Sequence, residues 1–277
     1  MNRHSCSARL FIATAFLIIL TAFALPARAQ GAADDDDAKL RPAEPDFTVV
    51  NLPTTLPLPL HAGNFHLTHR FAENLRNDSF NTQLSNLFGM DQGATIQFEY
   101  RFGVLKHLEA IAARTNFNKT FQFSGKYDAL HQTDSRWFGA SAIVSIEGGD
   151  NFNENYKPAL GGSVSHAFGD RAAVYGVPVW VHNSAAGTGN TRDTFFIGVG
   201  GRVAFTPTAY VIAEITPRVS GYAPGDPEYA FGVEKRVGGH VFSLVFANTP
   251  GTTFGHLASG GFPHNLQFGF NLARKFF

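Results

Sequence analysis

Eleven histidines are scattered along a chain of 277 residues that holds a single cysteine, Cys6. Imidazole is the side chain best suited to bind a metal or move a proton near neutral pH, but the spacing favours neither role. No His-Glu-x-x-His stretch occurs, and there is no pair of cysteines to build a thiolate site. His66 and His69 are three apart, which in a strand puts them on opposite faces. Gly161-Gly162-Ser163-Val164-Ser165-His166 has the beginnings of a nucleophile elbow, the sharp turn that exposes a serine, yet its final glycine is missing. A membrane-embedded, phospholipase-like hydrolase with His166 on its outer wall is therefore the alternative, and a non-enzymatic chain is the expectation. Asp34 to Asp37 lack the glycine turn and spaced oxygens of a calcium loop. Gly198-x-Gly200-Gly201 falls within a strand pattern, where glycines serve close packing or curvature rather than phosphate binding. No catalytic residue, metal or cofactor is expected.

The charged residues are better ordered than the histidines. Arg70, Glu99, Arg101, Glu109, Lys126, Glu147, Arg202, Glu214, Glu234 and Arg236 sit in segments of alternating character. Five are basic and five acidic. In Thr95-Ile96-Gln97-Phe98-Glu99-Tyr100-Arg101-Phe102 every second residue is large and apolar, the period-two signature of a strand with one wet and one greasy face. Segments of about ten such residues suit a tilted strand that crosses a bilayer. The candidates are Asn64–Phe71, Ala94–Phe102, Leu105–Arg114, Lys119–Asp128, Trp137–Glu147, Pro158–Phe168, Arg171–Val181, Thr194–Phe205, Ala209–Arg218, Glu228–Arg236, His240–Asn248 and Asn265–Phe277. They predict an all-β fold, a transmembrane antiparallel up-and-down β-barrel of about twelve strands over residues 63–277.

Connections alternate between tight and long. Gly103-Val104, Gly169-Asp170, Thr206-Pro207-Thr208 and Val237-Gly238-Gly239 are tight turns, with glycine supplying positive φ. Ala72–Gly93, Gly148–Lys157, His182–Asp193 and Asn248–His264 are long and polar. Ala129–Arg136 is long for its side and Thr115–Asn118 short. This asymmetry fits short periplasmic turns and long outer loops.

Alternation alone leaves open which face points inward. A ring of about twelve strands has a backbone diameter of roughly 24 Å, too wide for Phe and Val from opposite walls to fill. The apolar face is therefore expected to meet lipid: Phe98, Tyr100, Phe123, Phe231, Phe242 and Phe270, with Tyr175, Val177 and Val179 read the same way. The ten charges would line the lumen, together with His66, His107, Gln97, Gln122, Asn265 and Gln267. Balanced signs suit facing ion pairs that brace and constrict the lumen, where a selective ion pore would carry a ring of one sign.

The N-terminus reads as a signal peptide over residues 1–29. Arg3 and Arg9 precede the apolar run Leu10–Leu25, and Ala27-Arg28-Ala29 sets cleavage after Ala29. The cut removes Cys6. Residues 30–62 form a periplasmic segment rich in Asp and Pro, since Pro42, Pro45, Pro53, Pro57 and Pro59 forbid a ladder. It is expected to be a solvated tether; the alternative is that Val49-Val50-Asn51-Leu52 and the prolines plug the barrel. With 22 basic and 22 acidic residues, no basic stripe for nucleic acid is expected. The expected partners are outer-membrane lipid and the barrel-assembly machinery, the latter through Asn265–Phe277. In that strand the apolar phase holds Phe268, Phe270, Leu272 and Phe276. Either Phe276 plays the terminal aromatic part or a bulge near Arg274 shifts Phe277 into phase.

Several segments resemble one family. Val50-Asn51-Leu52-Pro53-Thr54, Thr68-His69-Arg70-Phe71, Leu87-Phe88-Gly89-Met90-Asp91, Val181-His182-Asn183, Gly232 to Phe242 and Phe268 to Phe277 are similar to the bacterial β-barrel family filed as domain of unknown function 5777. The resemblance runs from about Val49 to the end. It implies a barrel and brings no substrate or catalytic residue. The expected function is an outer-membrane, porin-like barrel that binds or transports an unidentified solute through a constricted lumen; a structural barrel without transport is a further alternative.

Overall fold

The computed structural model describes residues 43–189 and 191–276. Its strands are β1 (Gly63–Phe71), β2 (Ala94–Leu105), β3 (Leu108–Thr115), β4 (Phe121–Leu130), β5 (Gly139–Gly148), β6 (Glu154–Phe168), β7 (Ala172–Val181), β8 (Thr194–Thr206), β9 (Ala209–Thr216), β10 (Arg218–Gly221), β11 (Glu228–Val237), β12 (His240–Ala247) and β13 (Gln267–Phe276). Every pairing is antiparallel, and β1 closes on β13 to complete a ring of twelve. β10 is the extra strand. It continues β9 beyond Pro217, stays paired to the start of β8 and adds no member to the ring. Closure leaves no edge, so the ladder satisfies the wall's backbone without a partner chain.

The two rims differ. One gathers the start of β1, the turns at Gly169 and Gly238, both at positive φ, and the end of β13 at Phe276. His107, at φ 68°, takes the left-handed position in the turn between β2 and β3. The connection 131–138 is the one long link on this rim, tied by a bridge from Thr133 to Arg136. The opposite rim gathers the long loops. Two of them carry short helices, α1 (Phe80–Ser85) and α2 (Phe254–Ser259). Ser79 and Thr253 cap them, each side chain accepting from the backbone N–H three residues on.

The alternation separates outside from inside. Phe98, Phe123, Phe231 and Phe242 are exposed on the outer wall, and Tyr100 and Phe270 lie half-covered there. The charged phase of the same strands faces in and is buried.

Two expectations change. Tyr175, Val177 and Val179 on β7 face inward rather than outward, and Val177, Val179 and Val181 have no exposed surface at all. Val174 and Trp180 take the outer positions. Both faces of β7 are apolar, so periodicity could not choose between them, and the inner face meets protein. The tether is the second. Residues 43–56 are not solvated: Phe47, Val49, Val50, Leu52 and Leu56 are buried inside the ring, as is Leu58, while Pro57 and residues 59–61 stay exposed where the segment leaves for β1. Of the two registers left open for the last strand, β13 takes the first: it pairs with β1 without a shift and leaves Phe276 facing out, with no bulge at Arg274. The signal peptide, Ala29, Asp34–Asp37 and Phe277 lie outside the described residues.

Candidate functional site

The lumen is filled by two segments of the chain itself. The first is a hairpin-like stopper, residues 43–62. Thr48 bridges Pro53, Val49 N–H donates to Leu52 O (2.8 Å), and Thr54 N–H donates to Phe47 O (2.9 Å). Its tip is Val49–Leu52. Both of its ends lie at the short-turn rim, because Lys275 reaches Pro45 O there and Gly63 begins β1. The tip therefore points toward the long loops.

At the tip the wall supplies a carboxylate. Glu214 accepts from three successive N–H groups, those of Val50 (3.0 Å), Asn51 (2.8 Å) and Leu52 (3.0 Å). Glu228 accepts from Asn51 Nδ2 (3.2 Å) and from Thr216 Oγ1 (3.1 Å). Arg70 donates to Asn271 Oδ1 (2.8 Å) and to Asn51 Oδ1 (3.4 Å). Gly198 lies under Leu52, where a Cβ would stand 2.6 Å from a Leu52 methyl.

Lower down, cations hold the stopper's carbonyls. Arg202 donates to Thr48 O (2.7 Å), and Lys126 donates to Leu56 O (2.7 Å). Phe47 lies between the guanidinium of Arg101 (5.8 Å from its ring centre) and the ammonium of Lys275 (5.3 Å). The wall charges also pair among themselves. Lys126 meets Glu109 (2.6 Å) and Asp128 (3.3 Å), Arg101 meets Glu99 (2.7 Å), and Arg202 meets Glu234 (3.5 Å). The expectation that the charges pair with one another across the lumen is thus corrected. They pair along the wall and grip the stopper.

The second filling segment enters from the long-loop rim. Phe254, Leu257 and Ala258 of α2 join Leu52, Ile143, Val177, Val179, Val181 and Phe196 in one apolar cluster. Glu147 accepts from Gly255 N–H (2.9 Å). His256 Nε2 lies 3.4 Å from Thr120 Oγ1. Burial, aided by the nearby Lys157 charge, holds the His256 imidazole down to about 3. Above α2 an open cavity of about 870 Å³ remains among the long loops.

Of the ten charges predicted for the lumen, nine are buried inside the ring; Arg236 is half-buried at the short-turn rim. His66, Gln97, Gln122, Asn265 and Gln267 are also buried there, whereas His107 belongs to the turn between β2 and β3 and packs against His131 with the rings tilted. Sequence reasoning missed Asp128, Glu228 and Lys275 on the wall, although each shares the inward parity of its strand. Glu44 and Asp46 of the stopper were missed because that segment has no period. The elbow-like stretch does not assemble a site. Ser163 and Ser165 face in, bonded to Pro53 O and Thr55, while His166 faces out and bonds Trp137 O.

A closed antiparallel cylinder, apolar outside and charged within, defines the class of membrane-bound β-barrels. The chain belongs to the family described as a membrane-bound beta barrel domain, domain of unknown function 5777, which it matches over residues 46–276. Among solved structures it is similar to a KdgM porin, at 10% identity and TM-score 0.45 over 78% of this chain and 98% of that one. It is also similar to a mutant of the Rh. blastica porin, at 12% identity and TM-score 0.35 over 66% of this chain. It spans only 55% of the latter's length. No curated protein matches the chain.

Proposed function

We propose that this protein is an outer-membrane barrel that binds and passes a polar solute, and that it rests closed. The short-turn rim faces the periplasm and the long loops face outward, as export through a cleaved signal and insertion through the C-terminal strand require. Phe98, Phe123, Phe231 and Phe242 contact lipid. The observation that carries the reading is the burial of residues 43–56 in the lumen with their polar backbone matched by wall side chains. A barrel with only a structural role gains nothing from a polar, separately held stopper, since an apolar filling would be more stable. Ser165 and His166 on opposite faces favour a non-enzymatic role.

Planar-bilayer recording tests the proposal. The intact chain should be nearly silent, and deletion of residues 43–60 should give steady conductance. A large steady conductance from the intact chain, or silence from the deletion variant with folded strands, would refute it.

A further inference from the structure

The cavity above α2 is not absorbed by the closed lumen, and its lining is unlike the walls below. Asn118, Lys119, Asp150 and Asn155 all border it, and all four hold a positive φ, between 42° and 55°. Asn and Asp enter that region more readily than other residues because their short side chains can bond the local backbone, whereas Lys119 does so only where its surroundings hold it, and such residues collect at functional sites. Here the strained positions carry amides, an ammonium and a carboxylate that face a single space.

The charges in that space nearly cancel. Lys119 pairs with Asp150 (3.1 Å), and Lys157 lies beside Glu147 at the floor. Glu154 accepts from Asn155 Nδ2 (3.0 Å). An anionic ligand would meet three carboxylates, and a cationic one would meet two ammonium groups. Hydroxyls suit the lining better, because each both donates and accepts. Tyr222 and Phe262 border the same cavity, and Phe262 is exposed. Aromatic faces of this kind cover the apolar side of a sugar ring. At the floor His256 is almost wholly buried, with Nδ1 lacking a hydrogen-bond partner. The volume falls in the range of small-molecule sites.

We infer that the cavity formed by the strained loops after β3 and β5 and by the Tyr222 and Phe262 segments, above α2, is a binding site for a neutral polyhydroxylated solute such as a short oligosaccharide. The inference rests on the solute-binding reading above and names its substrate class.

Calorimetry on the full chain in detergent micelles tests it, with maltotriose, the same trisaccharide carrying a carboxylate on each ring, and spermidine as probes. Maltotriose should bind, and each charged probe should bind about tenfold more weakly. Asn118→Gly and Asn155→Gly keep the backbone at positive φ without cost while removing the amide. Each should weaken maltotriose binding by about tenfold with the strand circular dichroism unchanged. Equal or tighter binding of either charged probe, no binding of maltotriose, or unchanged affinity in both glycine variants would overturn the inference. A stopper-deleted chain that conducts while the intact chain binds no maltotriose sinks this inference alone. Maltotriose binding with no conductance after deletion sinks the transport reading instead.

Discussion

Glu214→Leu removes the single acceptor of three N–H groups at the stopper tip, at 3.0, 2.8 and 3.0 Å. A buried N–H left without an acceptor costs about 1–3 kcal/mol. Leucine offsets part of this, since no carboxylate need be desolvated and an apolar side chain is buried in its place. Taking the low end of the range and letting water reach one donor, docking weakens by about 2 kcal/mol, roughly thirtyfold in the ratio of docked to undocked. Residues 30–277 contain no cysteine, so with Cys6 replaced by Ser, Val49→Cys provides a unique reporter that is buried only while the stopper is docked. Its labelling rate by a charged methanethiosulfonate reagent reads the undocked fraction when reclosing is fast. Glu214→Leu should accelerate labelling about thirtyfold, and Glu214→Gln, which keeps one carbonyl oxygen, by much less. Equal labelling rates in the parent and Glu214→Leu would refute the idea that the wall carboxylate holds the tip.

Three further outcomes are expected. Gly198→Val should clash with Leu52, whose methyls stand 2.6 and 2.8 Å from a Cβ built there. Overpacking of about 1–3 kcal/mol should raise Val49→Cys labelling, and Leu52→Ala should suppress the effect; additivity of the two changes would count against the contact. Phe231→Arg, on the outer face of β11 with 44% of its surface exposed, should lower the folded fraction in vesicles by about 2–4 kcal/mol, and normal assembly would contradict a lipid contact there. His256 is held at about 3 against an ordinary 6.5. The docked helix then binds fewer protons than the undocked one, so its docking is fully stable above about 6.5 and weakens as pH falls toward 3, at about 1.4 kcal/mol per unit. Hydrogen-exchange protection of residues 254–259 should drop across that window and flatten in His256→Gln; protection that does not change with pH would refute the link between His256 protonation and docking.

The walls were legible in the sequence because each strand faces two different environments. β2, β4 and β13 alternate between large apolar and polar or small residues, and the ring follows from the number of strands and from the turn lengths. β7 is the instructive failure. In Ala-Ala-Val-Tyr-Gly-Val-Pro-Val-Trp-Val both faces are apolar, one because it is the outer wall and the other because Leu52 and α2 pack on it. A period of two carries no sign when the two environments are alike. The stopper was invisible for another reason. Its burial depends on wall residues more than a hundred positions away, such as Ser163 and Glu214, and nothing local marks it as buried. His256 gave no signal at all, since α2 is too short to show a helical period.

The composition of the stopper explains which side chains the wall presents. Pro45, Pro53, Pro57 and Pro59 have no N–H, so this stretch offers more acceptors than donors when it enters the lumen. Buried carbonyls without donors are costly. The wall answers with donors: Lys275 to Pro45 O, Ser163 to Pro53 O (2.9 Å), Lys126 to Leu56 O (2.7 Å) and Asn271 to Val50 O (3.0 Å). At Val50-Asn51-Leu52 three successive N–H groups meet the wall, and there it turns to a carboxylate. The mixed signs of the inner wall therefore follow the donor and acceptor order of a proline-rich chain. Apolar packing of Val49, Val50 and Leu52 on the wall adds to these hydrogen bonds, but none of the contacts is covalent, and water or a solute can replace the polar ones one at a time.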